Sequence, residues 1–514
     1  MKTNNSIRFL IINAAFLLLS IIFITSCKKD KIDNGSGNDP IPDEPGVAIT
    51  NPLCFTAEEG RVAIEIWVRE GYETSFDFEY SYDNVKWNTF IPDYTIVVLA
   101  EAGEKVYFRG HNPLGLSPNH NVFDEEYFYF IGPCARFVTN DKAVALSGNV
   151  MSLIDTVYRA NKPLPTSCFA GLFEYTSVTS APELPATLLS EFCYTHMFFC
   201  TNLASAPELP AMVLKKRCYS DMFYGCDNLA EAPELPATIL ADWCYAYMFG
   251  SCSGITTAPE LPATTMKECC YLGMFDGCAG LETVPELPAT TLAKCCYDNM
   301  FHSCRFETAP QLPATTLASG CYEGMFMNCK NLATAPELPA TNLADYCYAG
   351  MFALCDSITE APELPATTLA SYCYACMFSD CRYITTPPAL PATDLADHCY
   401  SYMFQSCYNM TTVPELPAMT LAPYCYEGMF NLCGGIATTP ELPATTLVEG
   451  CYNDMFHSCN SLNSVRVHFT EWRDDATNWW FGQNANYGTF YCPSSLSQEF
   501  GYNRIPTNWT VETF

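Results

Sequence analysis

Thirty cysteines and seven histidines are the residues of this chain best suited to nucleophilic, redox or metal chemistry. Their spacing argues against that use. His111, His120, His196, His302, His398, His457 and His468 are scattered, and only His302 and His457 share a repeat position. A zinc site needs several ligands at short, matched spacing. Cys373-Tyr374-Ala375-Cys376 has the CxxC form, and Cys269-Cys270 and Cys295-Cys296 are adjacent pairs. Each contains one cysteine that recurs in register, so a core role explains them as well as a site does. The chain has no glycine-rich phosphate loop and no Gly-x-Ser-x-Gly turn. The expectation is a non-enzyme with no catalytic residues, no metal and no cofactor.

Two other groups have the types a ligand surface needs. One is an acidic series: Glu183, Glu208, Glu234, Glu260, Glu286, Glu337, Glu363, Glu415 and Glu441, interrupted by Gln311 and Ala389. Carboxylates stacked one coil apart repel only modestly when solvated. They offer a place for Ca²⁺ or a basic partner, or they form a solvated edge and nothing more. A uniform series has no distinct acid and base, which argues against a glycosidase. The other group is Trp472, Trp479 and Trp480, which read either as an aromatic cap or as a glycan site. The net charge of −31 excludes a basic surface for nucleic acid.

A repeat positions these residues. From residue 182 the chain repeats Pro-Glu-Leu-Pro-Ala-Thr-Thr-Leu-Ala-x-x-Cys-Tyr-x-x-Met-Phe-x-x-Cys, eleven times. The first prolines run from Pro182 and Pro207 to Pro414 and Pro440, 26 apart save for two single-residue deletions. A degenerate unit with Pro163, Pro165, Cys168 and Phe173 precedes them. In one copy Leu332, Leu338, Leu343, Cys347, Met351, Phe352, Cys355 and Ile358 are apolar. A single copy cannot enclose them, but stacked copies bury one continuous stripe. Leu332-Ala333-Thr334-Ala335 is the expected strand, and Pro336 and Pro339 mark a corner. The spacing from Leu343 to Phe352 predicts one or two turns of α or 3₁₀ helix. Both cysteine positions fall in the apolar register of all eleven copies and read as reduced core thiols. Disulfides eight residues apart, or between adjacent coils at about 4.8 Å, are the alternative. Residues just before Met-Phe differ between copies, as a binding surface or an idle one would.

This unit resembles the leucine-rich repeats of BspA-like bacterial surface proteins. Cys347, Met351-Phe352, Cys355 and Ile358 occupy that family's recurring positions over about residues 160–465. The fold expected is α/β: a right-handed leucine-rich-repeat solenoid, with a short strand and a short α or 3₁₀ turn per coil. An all-β sandwich-like domain precedes it at 47–135, where Val62–Val68 and Lys105–Arg109 alternate in period two. Cys54 and Cys134 either bridge or stay free there. Residues 136–165 read as linker and N-terminal cap, 166–464 as solenoid and 465–514 as an aromatic C-terminal cap.

Residues 1–27 carry Lys2, Arg8 and an apolar run from Phe9 to Ile24, the parts of an export signal. Ile24-Thr25-Ser26-Cys27 resembles a bacterial lipobox, which implies cleavage before Cys27 and its acylation. Residues 28–46 read as a flexible tether. The function expected is adhesin-like: an outer-membrane or cell-surface lipoprotein binding host matrix or bacterial surface proteins or glycans. Capture of glycan or peptide for uptake, and a structural coat, are the alternatives.

Overall fold

The computed structural model describes residues 46–72, 75–118, 122–124, 129–481, 487–501 and 503–514. The lipobox-like Ile24–Cys27, residues 28–45 of the tether and His120 lie outside the described residues. No described helix is long and apolar enough to cross a membrane.

The N-terminal part carries β1 (Val47–Ala48), β2 (Leu53–Ala57), β3 (Val62–Val68), β4 (Phe78–Ser81), β5 (Asn88–Phe90) and β6 (Val97–Leu99). Then come β7 (Lys105–Gly110), β8 (Phe123–Asp124), β9 (Tyr129–Phe130), β10 (Ala135–Thr139), β11 (Val144–Ser147), β12 (Val157–Tyr158) and β13 (Val178–Ser180). A six-stranded sheet runs β13-β11-β2-β7-β4-β5, and a three-stranded sheet runs β10-β3-β6. Alternation decides their inner faces: Val62, Ile64, Ile66 and Val68 of β3 are all buried. The two sheets meet through Phe137, 4.9 Å from Phe55 and 5.1 Å from Phe108. Cys54, in β2, and Cys134, just ahead of β10, are both buried free thiols.

The repeats do not form the expected α/β solenoid. Among the described residues there is no α-helix, and the one 3₁₀ helix, Val150–Leu153, precedes the repeats. From one cysteine to the next the chain is a run of overlapping turns. The amides of Met351, Ala353 and Cys355 donate within their coil, to Tyr348 O, Gly350 O and Phe352 O at 3.2, 3.0 and 3.1 Å. Those of Tyr348, Gly350, Phe352 and Leu354 leave the coil, reaching Cys373 O, Ala375 O, Met377 O and Ser379 O at 3.0, 2.8, 3.0 and 2.8 Å. A helix keeps its amides inside its own segment. Here every second amide binds the next coil, so no helical ladder can close. Tyr346, Gly350 and Leu354 sit at φ 60°, 61° and 65°, a left-handed residue every fourth position. That four-residue cycle, not a helical one, brings Cys347, Met351 and Cys355 inward.

The expected strand shrinks as well. Thr308 bridges Thr334 and Thr316 bridges Asn342, each an isolated bridge. Pro336 and Pro339 lie between and have no N–H to donate. Continuous pairing returns where the following coil has no proline there. β14 (Thr438–Leu442) pairs in parallel with β15 (Ser464–Val467), then β16 (Thr489–Cys492) and β17 (Thr510–Thr513). The tail therefore continues the coil after its sequence period is lost. The amides of Tyr452 and Phe456 reach Ala476 O and Trp480 O at 2.9 and 2.7 Å.

Columns of like residues form the core. Tyr322, Tyr348 and Tyr374 stack at 5.8 and 5.9 Å; Phe326, Phe352 and Phe378 stack at 5.8 and 5.6 Å. The second cysteine donates its S–H to the carbonyl of Phe in the preceding coil, as from Cys355 to Phe326 O at 3.0 Å. The same bond recurs from Cys226 to Cys459, between 2.9 and 3.2 Å. The first copy departs from the expected register. Thr201 fills the buried place, with Oγ1 3.3 Å from Cys226 Sγ, while Cys200 sits one residue earlier, exposed at φ 53°. The missing residue of that copy thus falls between Thr201 and Leu203, as in the later copy it falls between Cys304 and Phe306.

Candidate functional site

The Pro-Glu-Leu-Pro-Ala corner is extended, and its burial alternates. Pro336, Leu338 and Ala340 face in; Glu337 and Pro339 face out. Two prolines hold the backbone extended, and the inward leucine sets the register. The glutamates are thereby placed outside. Glu183, Glu208, Glu234, Glu260, Glu286, Glu337, Glu363, Glu415 and Glu441 are all exposed. Among the described residues one has an ion partner: Glu441 Oε1 lies 2.6 Å from His468 Nε2. Glu234 and Glu260, with Glu231 beside them, line an open groove of about 710 Å³ walled by Leu235, Pro236, Pro259 and Pro262. A smaller recess of about 210 Å³ shares Glu231 and runs along Ala204–Ala206 and Pro233. Chemically this edge is a row of solvated anions over an apolar, proline-stiffened floor.

The three tryptophans do not share one surface. Trp480 is fully buried, its indole N–H bonded to Arg504 O at 3.0 Å, and it lies over Tyr452 at 6.5 Å. Phe481 covers Phe456 in the same way at 6.0 Å. Trp472 is half-buried, bonded to Ser497 O at 2.8 Å, and Trp479 is 41% exposed. The histidines stay apart too: His302 Nδ1 contacts Asp276 at 2.6 Å, and His196 stacks on Phe130 at 3.9 Å. Among the described residues no three His, Cys, Asp or Glu side chains converge as metal ligands.

The chain matches no protein-family model. No curated protein matches it either. A crystal structure of a leucine-rich repeat protein from Eubacterium ventriosum is similar at 11% identity and a TM-score of 0.31, covering 73% of this chain and 90% of that one. A likeness that slight carries no argument about this chain.

The variable residue before Met is less free than its variety suggests. It is left-handed in all eleven copies: His196, Asp221, Tyr247, Gly273, Asn299, Gly324, Gly350, Cys376, Tyr402, Gly428 and Asp454. Glycine, asparagine and aspartate tolerate that conformation best. Part of the variation thus answers the backbone and not a ligand. Cys376 belongs to this outer row while Cys373 is in the core, so the CxxC thiols do not converge.

A second outer row, the residue before the first core cysteine, has chemistry that motif reading missed. Tyr346, Tyr372, His398 and Tyr424 stack ring on ring at 4.6, 4.4 and 4.6 Å. Arg217 is held between Phe123 and Trp243, its Cζ 3.7 and 4.1 Å from their ring centres. Between these lie Cys269, Cys295 and Gly320. The available signal was position: aligning the copies puts these residues in one column.

Proposed function

We propose that this chain is a non-catalytic binding protein, exported and lipid-anchored at Cys27, that engages host or bacterial surface macromolecules through its repeats in the manner of an adhesin. The exposed glutamate edge is the observation that carries the reading. It recurs in nine of the eleven copies, has almost no internal ion partner, and borders an open groove at Glu234 and Glu260. Long-range attraction to a basic partner follows from such a row and is screened by salt. Resemblance to BspA-like proteins supports the class of activity.

The test uses the mature chain and panels of matrix proteins, glycans and bacterial cells. Binding should fall as salt rises, and should fall at least about tenfold when Glu234, Glu260 and Glu286 are changed together to Gln. Retention on none of these surfaces above background would sink the proposal. The uptake reading draws on the β-domain-plus-anchor plan and on Trp472, Trp479 and Trp480; with Trp480 buried, a sugar face there would fall to Trp472 and Trp479.

A further inference from the structure

Cys269 and Cys295 differ from every core thiol. They occupy the outer row one coil apart, and there they are the one pair of neighbouring cysteines, with Trp243 before and Gly320 after. The coils are in register at this point: Cys269 N–H donates to Lys294 O at 3.0 Å. Both cysteines have φ 50°, so both side chains leave the backbone in the same way. Like positions in adjacent coils lie about 4.8 Å apart, inside the Cα separation of about 4.4–6.8 Å that a disulfide spans. Cys295 packs against the small cluster that holds Cys269, whereas the second core cysteines point their thiols at carbonyls.

The pair is also asymmetric. Cys269 is 4% exposed and packs with Ala246, Leu272 and Trp243. Cys295 is half-buried. Its sulfur leans over Gly320, where an added Cβ would stand 3.0 Å away, so the glycine leaves that side open. The neighbouring Cys269 thiol holds the Cys295 thiol below its ordinary pKa, against burial and the Glu323 and Glu268 carboxylates, with help from Lys294. Burial pushes the core thiols Cys278 and Cys329 up to about 12. A thiolate is the nucleophile in exchange, so Cys295 can start a reaction that the core thiols cannot, while buried Cys269 keeps its proton until a mixed disulfide stands beside it.

We propose that Cys269 and Cys295 form an outer-row dithiol that reacts through half-buried Cys295 with small external disulfides and closes into a bridge between adjacent coils. Cys295 thiolate attacks one sulfur of RSSR, the S–S bond breaks, and RS⁻ leaves to take a proton from water. Cys269 then gives its proton to water and attacks Cys295 Sγ, expelling the second RS⁻. The two protein thiols are oxidised and RSSR is reduced to two RSH.

The test treats the full chain with oxidised glutathione and maps its peptides without reduction. Trypsin separates Cys269, in 268–294, from Cys295, in 295–305. A bridged pair of these peptides, lighter by two hydrogens, is expected. Cys269→Ser should stop at a glutathione adduct on Cys295, and Cys295→Ser should take none at position 269. Serine holds this row at Ser167, so neither change threatens the fold. Native alkylation of Cys295 should be at least about tenfold faster than that of Cys296. Exposed Cys200, which belongs to no such pair, should stop at the mixed disulfide. Absence of the bridged peptide, its persistence in the double serine variant, or equal alkylation of Cys295 and Cys296 would each overturn the proposal.

Discussion

A thiol is a weak donor, yet this chain places one at the same carbonyl ten times over. Nine of the ten Phe carbonyls already accept an amide from their own coil, as Phe326 O does from Cys329 N–H at 3.1 Å; the S–H of Cys355 comes second, at 3.0 Å. The residue types found at this place are informative. Thr201 takes it in the first copy, 3.3 Å from Cys226 Sγ, and Thr176 in the degenerate unit donates Oγ1–H to Phe173 O of its own coil at 2.6 Å. Small size and one proton to donate are what the place requires. Cys355→Thr should therefore be better tolerated than Cys355→Val, which has the same shape and no donor. The difference should be about 1 kcal/mol in a urea titration, the net worth of one buried hydrogen bond. Equal midpoints would mean that the thiols fill space and do nothing else. The buried register of the cysteines was legible because it repeats. The displacement of Cys200 was not, since a separation of seven reads as a deletion between the cysteines until burial shows Thr201 in the core place and the missing residue beyond it.

At the scale of the element, spacing identified the inward residues and mistook their conformation. Leu343, Cys347 and Met351 are four apart, and positions four apart share a face of a helix. Overlapping turns with a left-handed residue every fourth place share it equally well. Hydrogen bonding separates the two, because alternate amides here go to carbonyls 24 or 25 residues ahead in the next coil, and a single sequence does not show where an amide goes. The glutamate edge was legible for the opposite reason: prolines restrict φ in any context, and Pro-Glu-Leu-Pro has few conformations to choose from. Gly350 provides a test whose sign differs between the two conformations. In a helix, Gly→Ala stabilises by about 1 kcal/mol. At Gly350, with φ 61° and open space around an added Cβ, Ala must adopt a left-handed backbone and should cost about 1 kcal/mol or more. Denaturant midpoints of Gly350→Ala and the parent chain decide it, and a stabilised variant would restore the helix.

The whole molecule behaves as one stack with two unlike ends. The column of Phe rings does not start in the repeats: Phe173 lies 5.5 Å from Phe137 in the three-stranded sheet and 6.2 Å from Phe55 in the six-stranded one. β11 belongs to both parts, antiparallel to β2 and parallel to β13. Arg136 and Glu174 add an ion pair across the same seam at 3.1 Å. A detached stalk would share neither a sheet nor a core with what it carries. Residues 47–135, which sequence alone makes a separate domain, thus cover the open face of the first coil, as Trp480 and Phe481 cover the last. Starting the chain at residue 140 should strip Phe173 of its two ring partners in the sheets and leave β11 without β2. Two aromatic pairs and the apolar area around them amount to roughly 2–4 kcal/mol. Hydrogen exchange of the coils from 164 to 226 should rise by that amount, while coils beyond about 350 keep their protection, since each coil senses only its neighbours. Unchanged exchange in the first coils would show that the shared strand adds nothing to their stability and that the β domain is a separate stalk.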